Sequence, residues 1–594
     1  MKKTISLLLA ICLMLSGFSF SIIAAESEGS TVVTPGYSAA DAAEEKEKID
    51  LGEVSNLPNP DDANASIDKT SYKITTPDEL MYLVKWTNTG KKTFAGVTLY
   101  LAPENGTLNM SGKDFAPMNV VNGSEFKGTL DGLGNTIDHL TVTNQAASGA
   151  VLVGLFARVK GGTVRNLILG ENCSFTYAGT SNNANKGIGS IAALADGITV
   201  ENVCSYAKVS FNEDATLNPS PDAVCVAGLV GWFRTSPVAF DRTTYAGTVR
   251  FTQNNTATHK NHEQIGGFVG GCVGTATSLT ITNSVNQGNI DADGKAVGGF
   301  VGETSKTTCT FRNLLNEGSV TAEKTEVGGI IGCVPSQSSV TVENCVNRGT
   351  VASKVMGTIG GIVGIIEATG VSITGCTNFG FINAQQDPGA DRPLGGIVGK
   401  IATTGSATVS NCTNYGKVGS AVIGERLAGG IVGSETADGT TVNACKNYGV
   451  VYGKAPEAPM AQWVGYQLTD QKEIDGKFYQ SIRFVGSIDS TKYSEVGFYI
   501  TVKDGNGAVV KKTSTFACHH VYTEMYAMGN EGNIFASDYR AGGYLFGSAI
   551  YEIPVGETYT FEVETYAITV DGYTVLGEAR TFDHEIGTVP NVNS

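Results

Sequence analysis

Between residues 150 and 451 the chain repeats short apolar runs separated by glycine and asparagine. The clearest mark is Gly-Gly-apolar-apolar-Gly: GGFVG at 266 and 298, GGIIG at 328, and GGIVG at 360, 395 and 429. Degenerate copies stand earlier, AGLVG at 227, GSIAA at 189 and VGLFA at 153. The clear copies are roughly 30 to 36 residues apart, the length of one supersecondary unit. Each unit adds a second block, a β-type residue two before an Asn-apolar pair, running from Val164 to Val442. A third block, Gly-x-Val/Ile, closes at Val249, Ile290, Val320, Val351, Ile382, Val418 and Val451. Three β-type runs per unit, each bounded by Gly or Asn, predict one turn of a β-solenoid. Helical repeats are excluded, because many of the 75 glycines fall inside the units and would break helices. A propeller fits less well, since no four-strand blade signature is present.

The repeated segments VENCVNRGTV, VSNCTNYGKV and VNACKNYGVV, at 342, 409 and 442, invite a catalytic reading of Cys and Asn. Stacking argues otherwise. Equivalent residues of successive coils lie about 4.8 Å apart. The slot of Cys345, Cys376, Cys412 and Cys445 holds Leu167, Val203, Ser284 and Leu314 in other units. A site accepting all of these is an inward apolar slot, where free Cys behaves as a small hydrophobe. Neighbouring Cβ atoms would be farther apart than the ~3.8 Å a disulfide prefers, so the expectation is a ladder of free thiols. Asn286, Asn316, Asn347, Asn378, Asn414 and Asn447 are expected to stack likewise and satisfy turn backbone groups. Gly288, Gly318, Gly349, Gly380, Gly416 and Gly449 are expected to supply positive-φ corners.

A stack of coils needs a cap at its open end. In TPDELMYLVKWT, Thr76 reads as an N-cap, Pro77 as the first helical residue and Glu79 as its capping-box partner, with Leu80, Leu83 and Val84 on one face. After residue 455 the pattern becomes alternating strands, with hairpin signals at DGNG and VDGYT, and predicts a β-sandwich. Its many tyrosines suit either sugar stacking or half-buried packing. Cys518, His519 and His520 could supply one or two metal ligands, but no matching second pair is visible, and neither metal nor cofactor is expected.

Composition adds an address. Lys2 and Lys3, the apolar run Ile5 to Leu15 and the small-residue SIIAA read as a signal peptide over residues 1–25. No second long apolar run follows, so no membrane insertion is expected after cleavage. A net charge of -16 argues against nucleic acid or an anionic bilayer as partner. Residues 26–66, rich in Ala, Glu, Asp, Ser and Pro, read as a flexible spacer.

Length variation is concentrated in the connection after the third block. It is long from Val209 to Gly228 and from Val249 to Gly267, short from Ile290 to Gly299 through Val351 to Gly361, and long again from Ile382 to Gly396. Insertions along one edge of a solenoid are often the binding face, which predicts a saddle with tall walls. The walls carry Asp214, Asp222, His259, His262, Glu263, Asp387, Asp391 and Arg392, with Glu213 beside them. Two readings stand: a groove for an extended polymer such as a glycan, and ordinary solvated loops. Calcium at Asp291 and Asp293 lacks any EF-hand spacing. No carboxylate pair or conspicuous His survives on the predicted strands, so no catalytic residue is assigned.

The segments YKITTPDELMYLVKW, FKGTLDGLGNTIDHLTV and VGLFARVKGGTVRNLIL, with the later GGIVG units, resemble GLUG-motif surface proteins of bacteria. That resemblance covers roughly residues 70 to 451. It implies secretion, a right-handed parallel β-helix of the pectin-lyase-like type and an adhesive role. Similar repeats accompany some IgA1-specific metallopeptidases, but HEQIG at 262 and HEIGT at 584 lack the second His of a zincin motif. SIRFVGSIDSTKYSEVGFYITV resembles an accessory module at the C-termini of secreted clostridial proteins. The expected chain is therefore all-β: signal peptide 1–25, spacer 26–66, parallel β-helix 67–455, β-sandwich 463–585 and tail 586–594. Its expected role is binding an extracellular glycan or cell-surface protein; the alternatives are a glycan lyase or hydrolase and a structural stalk.

Overall fold

The computed structural model describes residues 36–587, apart from 144–145, 148–149, 180–184, 214–223, 254–262, 273–277, 306, 324–325, 356, 385–391, 403–404, 420–427, 436–438, 450, 452–460, 469–470, 489–492, 518–520, 523–543 and 570–573. The segment read as a signal peptide, residues 1–25, and the Cys518-His519-His520 cluster lie outside the described residues. The chain divides into two compact units, one carrying the repeats as far as Lys446 and one running from Asn447 onward and including 414–417.

The first unit is a parallel β-solenoid. One coil shows the plan: Glu263–Gly266 lies in sheet I, Val269–Cys272 in sheet II, Ser278–Thr282 in sheet III, Val285–Asn286 in sheet IV and Asn289–Ala292 in sheet V. Equivalent strands pair in parallel from coil to coil, giving sheets I to V 10, 9, 12, 11 and 8 strands. The exception is a short antiparallel pairing of Ala146–Ala147 in sheet I.

The three runs read from the sequence thus resolve into five strands, for two reasons. First, the Gly-Gly pair is a bend between sheets I and II: a Cβ on Gly266 would stand 2.1 Å from the Val269 carbonyl oxygen, and one on Gly267 would stand 2.2 Å from that of Gly299. Second, the Asn of the second block breaks the chain between sheets III and IV. Asn166, Asn202, Asn283, Asn313, Asn344 and Asn411 all have φ between 47° and 55°, in the left-handed region that Asn tolerates. The glycines expected at positive φ, among them Gly318 and Gly349, are not in that region. They are required because the coils touch there: a Cβ on Gly349 would lie 1.9 Å from the Gly318 carbonyl oxygen.

Inside the coil, Val153, Ile188, Val226, Ile265, Val297, Val327, Ile359 and Leu394 form one continuous sheet I ladder, wholly buried. Burying each such side chain contributes about 1.5–3 kcal/mol. Aromatic residues stack at coil spacing, Phe211 on Phe251 at 4.7 Å and Phe268 on Phe300 at 4.6 Å. The described cysteines are all free thiols. Cys345, Cys376 and Cys412 are wholly buried, with Sγ directed to backbone carbonyls such as that of Glu343 at 3.4 Å from Cys345. Asn286, Asn316 and Asn347 each donate Nδ2 to the Oδ1 of the next Asn at 2.7 Å and to a glycine carbonyl two residues on. Asn414 and Asn447 repeat the arrangement.

Helix α1 (Ala39–Glu47) and helix α2 (Pro77–Asn88) are the helices among the described residues. Helix α2 carries the full Thr76–Glu79 capping box, links the first two strands of sheet III and buries Leu80 and Leu83 completely. Helix α1 belongs to the stretch read as a spacer, and its described part, from Gly36, is held against the solenoid. The Ser38 amide donates to Asn202 Oδ1 at 2.6 Å, Asn202 Nδ2 returns a bond to the Ser38 carbonyl, and the Gly36 amide donates to the Asn283 carbonyl at 2.7 Å. Arg242 pairs with Asp41, Glu201 and Asp241. A low-hydrophobicity segment is ordered here because the exposed Asn corner offers it hydrogen-bond partners.

The second unit is a sandwich of two antiparallel sheets, five strands led by Ala461–Leu468 and four led by Tyr493–Lys503. Phe484, Phe498, Phe546 and Phe561 are wholly buried in its core, with Trp463 and Phe582 packed against them. The DGNG signal is a turn: the Gly507 amide donates to the Asp504 carbonyl, and the flanking strands pair antiparallel. Tyr559 and Tyr566 are buried, so at these positions the tyrosines serve packing.

Candidate functional site

The connection between sheets V and I forms the edge on which insertions were expected. Of the eight residues assigned to its walls, Asp214, Asp222, His259, His262, Asp387 and Asp391 lie outside the described residues. Glu263 opens its sheet I strand in register with Val224 and is buried; Glu213 ends the sheet V strand Lys208–Glu213. Arg392 is half-buried, two residues before Leu394. Four coil steps separate Glu263 from Arg392, about 19 Å at the spacing of parallel strands, so the two share an edge but not a site.

Where the connections are short, the edge carries a charge cluster. Lys354 Nζ lies 2.7 Å from Asp291 Oδ1, bridging two coils. Glu323 faces Asp293; burial first, and then that neighbouring carboxyl, raise its pKa, while Lys354 opposes the shift. The acidic pair Asp291 and Asp293, which lacks a calcium-loop spacing, therefore already has an ammonium beside it. No group of three or more His, Cys, Asp or Glu able to hold a metal is found among the described residues.

Next to this edge, sheets I and II fold against each other on their outer faces, so their strands are buried on both sides. The packing is complementary. Trp232 of sheet II lies over Gly187, whose added Cβ would meet Nε1 at 3.2 Å; Gln264 of sheet I lies over Gly271, whose Cβ would meet Oε1 at 1.7 Å. Cys225 Sγ contacts Gln264 Oε1 at 3.3 Å. Farther along the seam Lys295 is surrounded by Glu326, Cys333, Glu303 and Glu367. Burial lowers its pKa, but these neighbours outweigh burial and leave it raised. Burial and the same carboxylates push the Cys333 thiol well up, and burial with Glu303 does the same to Cys225. Both thiols are held protonated, which removes them as nucleophiles at neutral pH.

These seam residues escaped the sequence reading, although a signal was present. With the repeats aligned, the residue two before Gly-Gly runs Gln264, Ala296, Glu326, Thr358, Pro393. The residue after the last Gly runs Gly271, Glu303, Cys333, Ile365, Lys400, Ser434. Two variable columns flank an almost constant frame, and the structure places them face to face.

No family model matches the chain, so the GLUG resemblance rests on the quoted motifs. No curated protein matches it either. Among solved structures, it is similar to a candidate immunoglobulin A1 protease from Bacteroides ovatus, at 14% identity over 63% of this chain and 83% of that one, with a TM-score of 0.28. It is also similar to chitinase ChiW from a Paenibacillus strain, a cell-surface-expressed multi-modular enzyme, at 10% identity over 71% of this chain and 24% of that one, with a TM-score of 0.11.

Proposed function

We propose that this chain is a secreted or surface-associated binding protein that recognises a glycan or another cell-surface ligand along the sheet V to sheet I edge. The observation that supports this reading is the contrast within each coil. Asn, Gly and apolar positions repeat with little change, while the sheet V column that leads to the edge runs Ser210, Arg250, Asp291, Thr321 and Ala352. A surface that presents different polar groups at a fixed spacing of about 4.8 Å suits an extended polymer. The wall residues Asp214, Asp222, His259, His262, Glu263, Asp387, Asp391 and Arg392 remain the proposed contacts. The test is a glycan array probed with the full chain and with a variant carrying D214N, D222N, D387N and R392Q. Binding that is lost in the variant supports the reading; binding that is unchanged overturns it.

A second reading, a glycan-active enzyme, draws on one observation. Asp293 and Glu323 are facing carboxyls of adjacent coils, and one has a raised pKa, the arrangement a general acid needs. Overnight incubation with any bound glycan tests it: product that disappears in E323Q would establish catalysis, and intact glycan would leave binding alone.

A further inference from the structure

The corner between sheets III and IV, on another side of the coil from the proposed edge, holds a docked peptide along part of its length. Three successive amides contact three successive coils: Ser38 donates to Asn202 Oδ1 at 2.6 Å, Tyr37 to Thr244 Oγ1 at 2.9 Å and Gly36 to the Asn283 carbonyl at 2.7 Å. Asn202 Nδ2 also donates to the Ser38 carbonyl at 2.9 Å, so one side-chain amide holds both main-chain groups of one residue. This strap runs along the solenoid axis, with its earlier residues on later coils. Gly36 lies on the outward face of sheet IV, where an added Cβ would stand 3.0 Å from Val285 Cγ2. The chain upstream of Gly36 lies outside the described residues.

The surface that the strap follows continues past Gly36. The outward column of sheet IV runs Cys204, Thr244, Val285, Leu315, Val346 and Thr377, with Thr413 and Lys446 on the last two strands. Its apolar part therefore extends two coils beyond Gly36 and then gives way to polar residues. Leu315 is buried and Val346 half-buried. Outward apolar side chains in a row are what a covering segment would bury. Beside Val346 the corner presents Asn344, whose φ of 53° matches the 51° of Asn202. Asn344 is exposed, and its side chain has no hydrogen-bond partner among the described residues. The next coil has Gly375 at this position, so the amide column is interrupted where the apolar column stops.

The sequence just upstream of Gly36 suits this surface: it reads Thr31, Val32, Val33, Thr34, Pro35. Pro35 biases Thr34 towards extended backbone, and the β-branched Val32 and Val33 favour it and bring apolar side chains. From the Val285 coil to the Val346 coil is two steps, about 10 Å, and three extended residues span that distance. The residue three before Gly36 is Val33. We infer that residues 32–35 continue the strap along this corner, with Val32 and Val33 over Leu315 and Val346. The main chain at Val33 is then held by Asn344 as Ser38 is held by Asn202. One segment so clips the coils from Gly134, which lies against Ala42 of helix α1, to Val346. The strap precedes in sequence every coil it crosses, so it docks only after they have formed.

The experiment combines two readouts on the full chain. Hydrogen–deuterium exchange of residues 31–35 should be at least about tenfold slower than in the free peptide. Photoreactive p-benzoylphenylalanine placed at position 33 should cross-link to the segments 312–317 and 343–348. N344A combined with V346D, at one exposed and one half-buried position, should return exchange to the free-peptide rate. Continued protection of the Gly36 to Ser38 amides in that variant shows that the solenoid is folded. Free-peptide exchange in the unaltered chain, or cross-links elsewhere, overturns the inference. Slow exchange that survives the double variant assigns the protection to another contact and overturns it too. Irradiating mixed isotopically light and heavy chains identifies the source of the segment: light–light and heavy–heavy products support the inference, and light–heavy products would put a second copy's segment in the groove and overturn it.

Discussion

The Asn corner between sheets IV and V and the seam between sheets I and II are built by the same operation, yet they hold opposite kinds of sequence. At the corner, Asn286, Asn316, Asn347 and Asn378 place the same amide in the same hydrogen bonds, and Gly318, Gly349 and Gly380 leave room for the coil below. At the seam, Trp232, Glu303 and Cys333 stand in one column and Gln264, Ala296 and Glu326 in the facing one, with different chemistry from coil to coil. From Asn286 onward the corner repeats because each residue is fixed by its own image one coil away; before it the same column holds Leu169, Ser205 and Tyr245. The seam can vary because a large group on one sheet only needs a small one opposite. In a solenoid, repetition therefore marks scaffold and departure from repetition marks the place to look for recognition.

The sharpest way to break this comparison is to put a methyl group into the corner. Gly349→Ala drives a Cβ to 1.9 Å from the Gly318 carbonyl oxygen, and should cost on the order of 3 kcal/mol or more or prevent folding, measured by the urea midpoint of the solenoid. Asn347→Ala comes next. It removes donors to Asn378 and Gly349 and the acceptor for Asn316, for an expected loss of about 2–3 kcal/mol. Cys376→Ala should cost only about 1 kcal/mol, and Cys376 should resist a thiol reagent until the chain unfolds. Arg392→Gln, at the half-buried edge, should change the unfolding free energy by less than about 0.5 kcal/mol while weakening glycan binding.

The smallest effect is electrostatic. Glu323 has a pKa raised by burial and by Asp293, so the folded state holds its proton more tightly than the unfolded chain. Its contribution therefore favours folding at low pH and is lost as pH rises through the folded value. Asp293→Asn should bring the Glu323 titration down towards the ordinary carboxyl range, followed by carbon NMR of its side-chain carboxyl. A titration that does not move would show that burial alone sets the shift.

The solenoid was legible because its rules are local. Gly-Gly, Asn and apolar positions recur at fixed spacing, and the buried thiols Cys345, Cys376 and Cys412 follow from asking what else their slot accepts. What the sequence hid was contact between distant parts. Gly349 looks like a positive-φ corner until Gly318 is seen against it; Asn283 looks like a surface residue until its carbonyl accepts the Gly36 amide. The spacer reading failed over 36–41 for that reason, since the partners there, Asn202, Arg242 and Asn283, are more than 150 residues away in the chain; Leu57 and Pro58 are held by the nearer Lys73 and Trp86. The candidate site was legible only as an edge: Glu263 and Arg392 lie on it, while Trp232 and Glu303 carry no motif and become visible only when coils are stacked.

The measurement that tests the central claim most directly is glycan binding by three full chains: the unaltered one, Asn347→Ala at the corner and the four-residue edge variant. The account predicts that Asn347→Ala lowers stability and keeps ligand affinity, whereas the edge variant keeps stability and loses affinity, with the glycan recovered intact. Affinity that falls with the corner variant and survives in the edge variant would contradict it.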